Sequence, residues 1–133
     1  MRISLKMSEN AEREGGELLS KLLGFLNRDG ELVVRTDERP FVRKRGRWFF
    51  AMDDFLRKQA VEALILNLFR LRSNARVISR NQVASFLNRE QRLNFTCLVS
   101  GLKIRINAFL TKDGFGFVCR PFGDGTQVSI SAG

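Results

Sequence analysis

The chain has 133 residues, room for one ordinary domain and not for two, and its 44% apolar content is enough to bury a core, which excludes disorder over most of the length. Its 23 lysines and arginines outnumber 14 aspartates and glutamates, and the net charge of +9 points to an anionic partner: nucleic acid, a nucleotide phosphate, an acidic protein face or an anionic membrane surface. Histidine is absent, which excludes His-based acid–base catalysis, Ser–His and Cys–His nucleophile pairs and most zinc sites.

Residues 9–27 have helical spacing, with Leu18, Leu22, Phe25 and Leu26 on one face. Gly15 and Gly16 weaken its first turns, so the firm helix is expected over 17–27. Residues 31–36 (ELVVRT) predict a short strand. After a turn at 37–40, residues 41–44 and 47–51 predict two strands about a tight Arg45-Gly46 turn. Asp53 or Asp54 is expected to cap a helix reaching about Arg72, with Val61, Leu64, Ile65, Leu68 and Phe69 as its buried stripe. Ser79 and Gln82 fit a capping box opening a shorter helix.

Strands are expected at about 93–99, 102–110 and 114–121, as an antiparallel meander. In the second of these, Leu102, Ile104, Ile106 and Ala108 alternate with Lys103, Arg105 and Asn107, so one face is apolar and the other cationic. The tail, GDGTQVSISAG, predicts one weak strand at 127–130 or the start of a linker. Interleaved helices with an antiparallel sheet make the class α+β, with helices packed on one face. Residues 1–16 are expected to form an N-terminal extension, 17–122 the domain, and 123–133 a flexible tail.

No phosphate-binding G-x-x-x-x-G-K-[ST] loop and no G-x-G-x-x-G fingerprint occurs, so no catalytic residue, metal site or cofactor is assigned, and the chain is not expected to be an enzyme by itself. Cys97 and Cys119 lack C-x-x-C spacing and are expected to be free thiols in a reducing compartment. No secretory signal or long apolar run is present, so the expected location is cytoplasmic. Two cationic groups stand out. Arg43, Lys44, Arg45 and Arg47 beside Trp48 form a nucleic-acid patch or, alternatively, a charged hairpin tip with core aromatics behind it. Lys103, Arg105, Lys112 and Arg120 form a row on one sheet, either a solvated face or a phosphate-facing one. No RNP-like aromatic motif is visible on adjacent strands.

The order of segments resembles the N-terminal domain of the secretion-type hexameric ATPases, the pilus-retraction and pilus-assembly motors with their type II and type IV secretion relatives. The stretches that carry it are ELVV (31–34), ERPFVRKRGRW (38–48), AMDDFLRKQAVEALILNLF (51–69), NREQRLNF (88–95), SGLKIRINAFLTKDG (100–114) and FGFVCRP (115–121). Arg105 and Asn107 match the R-F-R-V-N motif of that family, whereas Lys103 replaces its first arginine, Val33 a histidine and Arg45 an aspartate. The chain thus resembles a diverged member.

The resemblance implies a PAS-like antiparallel sheet with helices on one side. It implies a domain that does no chemistry alone but packs against the ATPase domain of a neighbouring ring subunit. Arg105 and Lys112, with Arg120 as a third, would then face ATP held on that partner or on a domain following Gly133. Either an excised N-terminal domain of a full ATPase or a stand-alone protein that docks on a secretion ATPase or competes for its ring interface fits this reading. The implied partners are the ATPase subunits and an inner-membrane platform protein, with peripheral association at the inner membrane of a bacterium. The alternative function is a basic nucleic-acid-binding domain.

Overall fold

Helix α1 (Glu9–Leu23) opens the chain, followed by strands β1 (Gly30–Arg35), β2 (Phe41–Lys44) and β3 (Arg47–Phe50). Helix α2 (Lys58–Arg70) then precedes β4 (Arg92–Val99), β5 (Leu102–Leu110) and β6 (Phe115–Pro121). The computed structural model describes residues 9–26, 29–71 and 92–122. The capping box at Ser79 and the weak strand at 127–130 lie outside these residues.

The strands form one antiparallel sheet in the order β3-β2-β1-β6-β5-β4. The expected meander β4-β5-β6 is present, and a second one, β1-β2-β3, joins it through β1 and β6. Both two-residue hairpins carry positive φ at their central positions, Arg45 (52°) with Gly46 (80°) and Ser100 (51°) with Gly101 (80°). This backbone twist matches that of the flanking strands.

The two faces of the sheet differ because side chains alternate along each strand. Leu32, Val34, Val42, Ile104, Ile106 and Phe117 point to one face and are buried. The helices pack on this face. The predicted α2 stripe, Val61, Leu64, Ile65, Leu68 and Phe69, is at most 1% exposed. Each such side chain contributes about 1.5–3 kcal/mol of burial before the entropy cost. This is the α+β arrangement expected, with the helices on one side and no described helix on the other sheet face, the open face below.

Two local expectations fail for tertiary reasons. Asp53 and Asp54 do not cap α2; its N-cap is Arg57, which makes no side-chain capping bond. The Leu56 N–H donates to the Glu38 carbonyl (3.1 Å), and the Asp37 N–H to the Leu56 carbonyl (2.6 Å). That bridge keeps the chain extended past both aspartates, and Asp53 instead pairs with Arg39 at 3.3 Å.

Helix α1 runs through Gly15-Gly16 and stops at Leu23, earlier than the expected residue 27. The glycines let α1 approach α2: a Cβ on Gly15 would lie 2.7 Å from that of Ala63. Asn67 bridges the two helices, its amide donating to the Glu12 carbonyl (3.0 Å) and to that of Ala63 (2.8 Å). Glu12 also pairs with Arg70 at 2.6 Å. Residues 12–16, placed outside the domain by sequence, therefore contribute to this helix pair.

Candidate functional site

The open face of the sheet is built from the residues that alternate with the core set. Its strand positions carry six cations, Arg35, Arg43, Arg92, Lys103, Arg105 and Arg120, and one carboxylate, Glu31. Register aligns several of them in a line across the strands. Trp48 lies opposite Arg43, Arg43 opposite Glu31, and Arg120 opposite Arg105. Glu31 joins the two halves of the line by accepting from Arg120.

Glu31 holds two guanidiniums. Its Oε1 accepts from Arg43 Nε (2.9 Å) and from Arg43 Nη2. Its Oε2 accepts from Arg120 Nε (3.1 Å) and Nη2 (2.6 Å). Partial burial acts to raise the Glu31 pKa, but the hydrogen bonds from Arg120 and Arg43 outweigh it and hold the carboxyl below its ordinary value. Arg105 has no carboxylate partner among the described residues; its guanidinium lies 4.9 Å from the Phe122 ring centroid. Of the two neighbours, Arg105 is therefore the guanidinium left open to an external anion.

The sequence-predicted cations do not all meet. Arg105 and Arg120 are cross-strand neighbours. Lys112 lies in the turn after β5, whose last residue Leu110 is already about 17 Å along the strand from Arg105 at ~3.3 Å per residue. The row read from sequence as one region is thus a pair with a distant third. The hairpin patch is divided as well. Arg43 and Trp48 share the open face, but Lys44 and Arg47, one residue further along each strand, pair on the opposite one. Arg45 sits in the turn and pairs with Asp29 at 2.8 Å.

The aromatics at the β3 end depart from the sequence reading. Trp48 is 59% exposed, Phe50 43% and Phe55 60%, so they are not core behind a charged tip. Strand β3 is a sheet edge, and all four of its residues are exposed. Trp48 makes edge-to-face contacts with Phe41 (5.9 Å between centroids) and Phe50 (5.1 Å). Arg39 stacks on Phe50, 3.7 Å from its centroid. With Phe55 these rings line a shallow groove rimmed by Glu38, Arg39 and Arg43. Sequence reasoning placed Trp48, Phe49 and Phe50 beside the basic run but missed Phe41 and Phe55; the alternation of Phe41 with Val42 was the available signal for the first.

Among the described residues, no helix is long and apolar enough to cross a membrane. Both cysteines are free and buried, as expected from their spacing.

No family model matches the sequence, and no curated protein does. Among solved structures, the pilus retraction motor PilT with bound ADP matches 86% of this chain at a TM-score of 0.60 and 14% sequence identity. The matched region is 30% of that protein's chain, so this chain spans under a third of it. The Legionella pneumophila ATPase DotB matches 83% of this chain and 27% of its own, at 17% identity and a TM-score of 0.49.

Proposed function

We propose that this chain acts as a noncatalytic domain in a secretion or type IV pilus ATPase system, through contact with ring subunits. The observation that carries the reading is the fold it shares with a pilus retraction motor over 86% of its own length while spanning 30% of that protein. ATP would be held by a neighbouring subunit or by a longer parent chain. A cytoplasmic location at the inner membrane, beside a platform protein, belongs to the same reading.

In this reading Arg105 approaches the nucleotide first, because its guanidinium is not committed to a carboxylate. Arg120 is the second contact, and a phosphate reaching it must compete with Glu31. Lys112, at the other end of β5, serves a separate part of the subunit contact.

The test is affinity capture of the tagged chain from its host lysate, after nuclease treatment and at moderate salt, with partners identified by mass spectrometry. A secretion or pilus ATPase is expected. In the reconstituted pair, Arg105→Ala should lower ATP turnover by about tenfold or more. Capture of no ATPase would overturn the reading; unchanged turnover in a confirmed complex would overturn the role of Arg105.

A further inference from the structure

We propose that the open face of the sheet binds single-stranded nucleic acid, with a base stacking on Trp48 and phosphates held by Arg105, Lys103 and, in competition with Glu31, Arg120. The inference does not depend on the ring-contact reading; the two share Arg105 and Arg120, so one phosphate ligand excludes the other, and only this one uses the aromatic end of the face.

Two observations carry it. The first is charge segregation: six cations against the single carboxylate Glu31 on the strand positions of one face, on which no described helix packs. Glu31 does not cancel the field, because its two oxygens fasten Arg43 and Arg120 and leave Lys103 and Arg105 without a carboxylate among the described residues. The second is the ring cluster at the other end of the same transverse line. Its lining is mostly aromatic, and the charges at its rim are Arg39 and Arg43 against Glu38.

The line from β3 to β5 crosses four strand spacings, about 19 Å. A polymer that repeats a flat π-face and an anion suits a surface with rings at one end and guanidiniums at the other. An acidic protein segment would satisfy the cations but would leave a 59% exposed indole without a matching partner. The hairpin cations singled out in the sequence do not form the site: Lys44 and Arg47 point to the other face and Arg45 is held by Asp29.

Trp48 is the one tryptophan of the chain, so its fluorescence reports stacking directly. The full chain is titrated with an oligothymidylate of about 12 nucleotides. Saturable quenching is expected, with log K falling against log salt at a slope of about −2, from ~3 phosphate contacts at about 0.7 each. Anisotropy of a labelled oligonucleotide then reads the variants. Arg105→Ala with Arg120→Ala should weaken binding and make the slope shallower by about 1.4. Trp48→Ala should weaken binding by roughly 5- to 160-fold with the slope unchanged. Lys44→Ala and Arg47→Ala should each leave affinity within about twofold, since only a diffuse, screened charge effect remains at that distance.

Several results would overturn the proposal. Absence of binding at low salt would do so, as would binding without Trp48 quenching. Equal affinity for a duplex of the same length would mean that phosphate charge alone is recognised. Displacement by polyglutamate at matched charge would point to an acidic protein instead. Should Trp48→Ala fail to fold by circular dichroism, the wild-type quenching titration decides the matter.

Discussion

Replacing Glu31 by Gln keeps the shape of the side chain and removes the charge that two arginines share. The side chains of Arg43 and Arg120 are 58% and 65% exposed, so solvent and salt screen each pair, whereas the Glu31 side chain is only 15% exposed. Exposed pairs contribute about 0.2–1 kcal/mol each. Two on one largely buried acceptor give about 1–2 kcal/mol for Glu31→Gln. For a domain of this size that lowers Tm by roughly 4–7 °C, measurable by circular dichroism at neutral pH. The sign with pH follows from the depressed pKa of Glu31. Its contribution is complete above the unfolded-state value near 4.5 and is lost as pH falls through the lower folded value. The stability gap between wild type and variant should therefore close in acid. The same substitution removes the one carboxylate among the described strand positions of the open face, so affinity for oligothymidylate should rise while stability falls. A gap that persists in acid would refute the assignment of this energy to the Glu31 carboxylate. Affinity and stability falling together would refute its place among the cations of the binding face.

Gly15→Ala should destabilise by about 1 kcal/mol in a urea titration, because a Cβ 2.7 Å from that of Ala63 costs more in overpacking than the ~1 kcal/mol gained in helix propensity. Gly16→Ala meets only the Asn67 side-chain oxygen at 3.0 Å and should stay near neutral. Thr36→Val should cost about 2 kcal/mol, since the Thr36 hydroxyl accepts from the Phe115 N–H (2.9 Å) and donates to its carbonyl (3.0 Å), and the buried N–H would lose its partner. Burial pushes the Cys97 thiol up to about 12 and Cys119 well above its ordinary value, so alkylation at mildly basic pH should follow global unfolding. Rapid labelling of the native protein would contradict their burial.

Elements defined by a local period were legible. The α2 stripe and the alternation in β5 each repeat within one segment, and every residue of the first is buried. The pairing of β1 with β6 has no such signature, because Leu32 meets Cys119 across most of the chain. Gly15-Gly16 was legible as a helix weakness and not as a contact, since the reason for it is Ala63 on another helix. The start of α2 failed similarly: Asp53 and Asp54 have the right chemistry for a cap, but the Glu38 bridge to Leu56 sets the geometry.

The candidate site shows the same division in its sharpest form. Arg43, Lys44, Arg45 and Arg47 are contiguous, and contiguity suggested one patch. On a strand, neighbours in sequence face opposite ways, and neighbours in register meet. Glu31 therefore holds Arg43, 12 residues away, and Arg120, 89 residues away. Lys44, adjacent to Arg43, belongs to the other face. A mutational scan guided by the basic run would place most of its substitutions off the open face. One guided by the line Trp48, Arg43, Glu31, Arg120 and Arg105 tests a single surface at both ends, and separates stacking at Trp48 from charge at Arg105.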